Sequence, residues 1–145
     1  MRVMKVLTPE QIKAHSDLIT PLVVKGFDGD LATQFSPDII NHALRDGEMT
    51  GIAFYNAEEF DSPVKEIDMF LVIQNVPSCA TAYVVLVAGK NLVDNMDTFW
   101  ENLKSDMKGQ GMDTVMACVK RPGMETILAS SGFEKHAVVM QSELN

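Results

Sequence analysis

The stretch from residue 80 to residue 119 constrains the fold more tightly than any other part of the chain. Residues 80–88 (ATAYVVLVA) are a near-continuous apolar run rich in β-branched side chains, the pattern of a strand covered on both faces. Residues 92–108 then follow a helical period. Leu92, Met96, Phe99, Trp100, Leu103 and Met107 fall on one face, while Asp97, Glu101, Lys104, Asp106 and Lys108 fall largely outside it. Gly109 and Gly111 end the helix, and residues 113–119 (DTVMACV) return as a second strand. A strand, a helix and a strand in that order require a parallel pair, joined by a right-handed crossover.

The rest of the chain supplies the other elements. Residues 2–7 read as a first strand, and Thr8-Pro9-Glu10-Gln11 as a helix start, with Thr8 capping, Pro9 at the first helical position and Gln11 completing a capping box. Ile12, Ile19, Leu22 and Val23 continue at helical spacing toward a stop at Gly26, and Pro21 predicts a kink or break within the run. Ser36-Pro37-Asp38 opens another helix, whose stripe is Ile39, Ile40, Ala43 and Leu44 and whose stop is Gly47. Residues 49–55 and 66–74 read as strands separated by a polar hairpin loop with a breaker at Pro63. Arg121-Pro122 opens a short helix with Met124, Ile127 and Leu128, Gly132 closes it, and residues 133–142 are the last predicted strand. The predicted order is β-α-α-β-β-β-α-β-α-β, a mixed sheet in a single α/β (α+β) domain covering residues 1–145.

Charge and composition narrow the function classes. The net charge of −8 arises from 12 basic and 20 acidic residues, a balance that argues against nucleic acid and against anionic membranes as partners. No run approaches the ~18 apolar residues of a membrane span, and the amino terminus turns polar after seven residues, so the expectation is a soluble protein without its own secretion signal. Cys79 and Cys118 are the only cysteines, and His15, His42 and His136 are scattered, which predicts two reduced thiols and no metal site. The ten methionines read as adaptable core filler, with Met96 and Met107 on the helix face and Met116, Met124 and Met140 in strand or helix interiors.

Within this order of elements, the string ILASSGFEKHAVVMQSEL resembles the closing pattern of the GNAT N-acetyltransferase superfamily, a short helix ending in Gly-Phe before a long final strand. Residues 89–144 are similar to the short, divergent GNAT-like proteins of tailed bacteriophages, which keep these elements while losing the usual phosphate loop. The resemblance implies helices on both faces of the sheet and two central parallel strands, 80–88 and 113–119, that splay at their carboxyl ends. It implies acetyl-CoA or CoA as cofactor, lying in the gap like an extra strand. Leu86, Val87 and Ala88 would face the pantetheine amides, and Gly89, Lys90 and Asn91 would meet the pyrophosphate at the start of the helix.

The sequence departs from the family pattern at two places. The phosphate loop, usually Gln/Arg-x-x-Gly-x-Gly/Ala, corresponds here to residues 88–95 with Gly89 alone and with Asp94 bringing a negative charge. Gly89-Lys90-Asn91 therefore reads equally as an ordinary strand-to-helix turn with a capping Asn. The family's general-acid Tyr is Leu128 here, and an Asn seven positions earlier is Arg121. Tyr83 is the substitute catalytic candidate. Glu66, Asp68 and His136 are candidate bases that also read as solvated strand residues, and Cys118 is either a group facing the thioester or an inert thiol.

Two functions follow. The resemblance implies acetyl transfer from acetyl-CoA to a small-molecule or protein amine. The alternative is a non-catalytic phage protein, a virion component or host-directed accessory protein, that uses the fold as an assembly module with other phage structural proteins. The corresponding locations are the host cytoplasm and the virion.

Overall fold

Arg2–Leu7 forms β1, and the chain turns straight into helix at Thr8. The computed structural model describes residues 1–27, 35–59, 61–90, 92–120, 122–136, 140, 142 and 144, and the side chains of all these except 92–99 and 122. The capping box at the start of α1 (Pro9–Ala14) is formed as its sequence requires. The Gln11 amide donates to Thr8 Oγ1 at 3.2 Å and the Thr8 amide to Gln11 Oε1 at 2.9 Å.

The chain breaks at His15 and continues as helix through Pro21, where the sequence predicts a kink or break, so among the described residues three helices rather than two lie between the first two strands. The His15 amide closes α1 by donating to the Gln11 carbonyl at 3.0 Å. Its carbonyl opens α2 (Ser16–Phe27) by accepting from the amides of Leu18 and Ile19. Pro21 lies inside α2, where its missing N–H forfeits one bond, the one to the Asp17 carbonyl. Helix α3 (Pro37–Asp46) has the expected boundaries, with Ser36 Oγ accepting from the Ile39 amide and Gly47 ending it at φ +78°. Ile40, Ala43 and Leu44 face the core, but Ile39 is 53% exposed and is not part of the stripe.

Strands β2 (Thr50–Asn56), β3 (Met69–Val76), β4 (Thr81–Gly89) and β5 (Thr114–Ala117) complete a sheet of spatial order β1-β2-β3-β4-β5. The first three pairings are antiparallel, and β4 with β5 is parallel, across the crossover helix α4 (Leu92–Gly109). A short helix, α5 (Pro122–Ser130), follows β5.

The sheet separates two apolar layers. Ala53, Tyr55, Phe70, Val72 and Val85 face α1–α3, where Ile12, Ile19, Val23 and Ile40 complete one cluster. Ile52, Phe54, Met69, Leu71 and Val84 face the other way, onto Leu103 and Met107 of α4 and Met124 and Leu128 of α5. Each fully buried side chain of this size contributes about 1.5–3 kcal/mol, so a sheet with cover on both faces is the only arrangement that satisfies its continuous apolar runs.

Other expectations are corrected. Strand β3 starts at Met69, three residues later than read, so Glu66 and Asp68 precede it. Asp68 nevertheless ties the neighbouring strand ends together, its amide donating to the Phe54 carbonyl at 2.8 Å and its carbonyl accepting from the Lys90 amide at 2.8 Å. Met116 is 40% exposed, and Met140 is also exposed, so neither fills the core; Met49, Met69, Met107, Met112 and Met124 do. The predicted strand 133–142 is not formed over Phe133–His136, and residues 137–139 and 141 lie outside the described residues. Gly132, at φ +95°, turns the chain away from α5.

Candidate functional site

Strand β4 has two unlike edges. Toward β3 it is paired along its whole length, from Val76↔Thr81 to Met69↔Gly89. Toward β5 it is paired only from Thr81↔Thr114 to Val84↔Ala117. Among the described residues, Val85 to Gly89 have no strand partner on that side. Alternate backbone groups of this segment therefore face a gap, and unpaired strand edges are templates for an added strand or an extended ligand.

The cause of the divergence is visible in the register. Val72 pairs with Leu86 and Ile73 with Val84, which leaves Val85 as an extra residue opposite the Val72/Ile73 link. Such a bulge bends the strand and increases its twist. It also resets the alternation of side chains: Ala82 and Val84 face α4 and α5, Val85 and Leu86 both face α1–α3, and Val87 faces α4 and α5 again. The bulge sits where pairing with β5 stops. Nothing in the sequence marks it, because a continuous apolar run has no alternation to interrupt.

The residues expected to hold the cofactor are placed as follows. Leu86 and Ala88 are buried against α2, where a side chain at Gly26 would lie 2.6 Å from Leu86 Cδ2 and 3.0 Å from Ala88 Cβ. Val87 is buried on the opposite face. These three side chains are core, so any contact with an extended ligand must come from their backbone. Gly89 adopts φ +133°, and a Cβ there would collide with the Asp68 carbonyl oxygen. Its glycine thus has a packing cause of its own. The Lys90 amide donates to that carbonyl, so it is committed within the fold, and the Lys90 side chain is exposed. Asn91 lies outside the described residues. Helix α4 starts at Leu92 immediately beyond the gap, and the first amides of a helix are unsatisfied by the helix itself.

Tyr83 stands on the paired half of β4, one residue before the fork, and its hydroxyl lies 2.7 Å from Cys118 Sγ. Cys118 follows the last residue of β5, so the parallel register brings together two groups 35 positions apart. The hydrogen bond to Cys118, then partial burial, then the charge on Cys118 push the Tyr83 hydroxyl up to about 12. The other candidates do not gather here. Glu66 and His136 are exposed, Asp68 accepts a long contact from Asn56 Nδ2 at 3.5 Å, and Arg121 lies outside the described residues.

On the α4/α5 side of the fork the described side chains leave a small apolar pocket that is partly open to solvent. Val84 and Val87 of β4 and Ala117 of β5 form its sheet wall, and Leu128, only 8% exposed, lines it from α5. Trp100 lines it from α4, its ring 5.1 Å from that of Phe133 and with Lys104 Nζ 5.7 Å above it. Among the described residues no helix is long and apolar enough to cross a membrane.

No protein-family model and no curated protein matches the sequence. Solved structures do match in fold. An aminoglycoside acetyltransferase, meta-AAC0020, from an uncultured soil metagenomic sample superposes with a TM-score of 0.67 at 12% identity, covering 99% of this chain and 97% of that one. A ribosomal-protein-alanine N-acetyltransferase from Brucella melitensis gives 0.61 at 8% identity, with 100% and 99% covered. An acetyltransferase of Trypanosoma brucei gives 0.60 at 14%, with 99% and 100% covered. The mixed five-stranded sheet, with its parallel pair parting at a bulge and helices on both faces, is the GNAT fold of acetyltransferases.

Proposed function

We propose that the chain is a CoA-dependent N-acyltransferase whose donor lies in the gap between β4 and β5. The observation that carries this reading is the edge of β4 from Val85 to Gly89, which has no strand partner toward β5 among the described residues and begins at the bulge where β5 ends. Bound there, an acyl-CoA supplies a thioester carbonyl for attack by an amine. Backbone groups of residues 85–88 bind the pantetheine amides as a neighbouring strand would, and the amino-terminal amides of α4 take the pyrophosphate. The committed Lys90 amide narrows that second role to the helix itself, with the Lys90 side chain as a point charge.

The proton chemistry is weak by the same geometry. Leu128 has no proton to give. Tyr83, at about 12, is a far weaker acid than an ordinary thiol near 8.5, so protonating a thiolate from it runs uphill. Tyr83 serves as a hydrogen-bond donor at the fork, and the leaving thiolate departs without a general acid, a loss of about 10²–10⁴-fold against an enzyme that has one. The acceptor is an amine, and the acidic surface suits a cationic one.

Leu128 in place of a proton donor equally favours a second reading, a non-catalytic module of the kind phages use in assembly. Thermal unfolding with added CoA separates the two. At 100 times its dissociation constant a ligand stabilises by about 2.7 kcal/mol, so the acyltransferase reading expects a clearly raised midpoint. An unchanged midpoint at millimolar CoA leaves the assembly module.

A further inference from the structure

We infer that Leu128 sets the size of the acyl group the donor can carry, standing with Phe133 and Trp100 as a fixed stop in the pocket beside the fork. The inference rests on the CoA reading above and assigns a specificity-determining residue to the same site. Its first support is position. Val84 and Ala117 are the last register pair of β4 and β5, and both line the pocket. An acyl group on a thioester held where the strands part therefore meets the pocket directly.

The second support is size. The pocket has a cavity volume of about 30 Å³ and an apolar lining. That is roughly the share of one water molecule in the liquid, so an acetyl methyl fills it. A longer chain needs room that only the wall can yield, and forcing an extra group into a filled apolar site costs roughly fivefold to a hundredfold in binding.

The third support is the way the wall is held. Gly132, at φ +95°, closes α5 in a Schellman turn. The Phe133 amide donates to the Leu128 carbonyl at 3.0 Å, and the Gly132 amide to the Ala129 carbonyl at 3.2 Å. This turn folds Phe133 back beside Leu128, and both side chains line the pocket. Phe133 is set in turn against the Trp100 ring, with the centroids 5.1 Å apart. Leu128 is itself buried, and in a close-packed interior it has no space to swing clear. Met124 and Ile127 line the pocket from the same helix, but it is the Leu128 carbonyl that holds Phe133. The Gly-Phe step after α5 thus fixes the stop in place.

The test is a set of dissociation constants, measured by calorimetry on the full chain with CoA, acetyl-CoA and butyryl-CoA. Wild type is expected to bind acetyl-CoA at least about fivefold tighter than butyryl-CoA. Leu128→Ala removes Cγ and both Cδ atoms from the wall, room for the two added methylenes, and is expected to abolish or reverse that preference. Leu128→Val lowers it in smaller measure should the first variant not fold. A wild-type preference below fivefold with CoA itself bound, or a preference that neither variant lowers, overturns the Leu128 assignment and leaves the CoA reading standing. No binding of any of the three overturns both.

Discussion

Gly89 occupies a position that only glycine tolerates, for two separate reasons. Its φ of +133° is a region that L side chains rarely adopt, and the direction a Cβ would take is filled by the Asp68 carbonyl and Met69 Cα. Both obstacles are backbone, held by the β3–β4 ladder and by the Lys90 amide, so neither moves aside as a side chain would. Gly89→Ala is expected to destabilise by about 2–4 kcal/mol, read as a lowered midpoint in urea. A neutral result would mean that the β4 terminus is not seated on β3 as described. Tyr83 gives a second measurement at this scale. Its hydroxyl is raised from 10.0 to about 12, so the folded state holds the proton more tightly than the unfolded chain. The associated stability is fully present below about pH 10 and is lost as pH rises toward 12. Tyr83→Phe is expected to flatten that alkaline limb, at a cost near neutral pH of about 1 kcal/mol for the lost hydrogen bond. An identical alkaline limb in the variant would contradict the Tyr83–Cys118 contact.

Helix α2 is held against β4 through Gly26, and here two effects of opposite sign compete. Replacing a helical Gly by Ala ordinarily gains about 1 kcal/mol. At Gly26 the new methyl would lie 2.6 Å from Leu86 Cδ2 and 2.8 Å from Leu86 Cγ, and Leu86 is locked in the core. Overpacking costs about 1–3 kcal/mol, so Gly26→Ala is expected to be net destabilising, and a stabilised variant would show that α2 stands further from the sheet. The element boundaries are legible where a local rule sets them: the Thr8–Gln11 box, the Ser36 cap, the Gly47 stop and the apolar run of β4 all rest on residues adjacent in sequence. Features that depend on pairing are not. The bulge at Val85 leaves no trace in a run where every residue is apolar. The early end of β5 at Ala117, and with it the cavity, follows from what the neighbouring strand does. Tyr83 and Cys118 were each visible as reactive groups, but only the parallel register of β4 with β5 makes them partners. At Pro21, where a local rule predicts a kink or a break, α2 continues, and the break between helices is set instead by the bonds at His15.

For the molecule as a whole, the net charge of −8 opposes the approach of a polyanion such as CoA, and the gap must hold it by short-range contacts once it arrives. Salt screens the long-range repulsion over about 8 Å at physiological ionic strength. CoA association is therefore expected to quicken between about 10 mM and 150 mM salt, measured by stopped flow; a slower rate in salt would point to a local cationic site that outweighs the overall field. The central claim is that the divergence of β4 from β5 is a binding site and not merely a feature of the sheet. Backbone amide NMR with CoA titrated in tests it most directly. The account expects shifts concentrated at Val85–Gly89 of β4, the first turn of α4 and Ala117–Cys118, with the β1–β2 side of the sheet unmoved. Saturable binding whose shifts fall elsewhere, or no shifts at all, would contradict it.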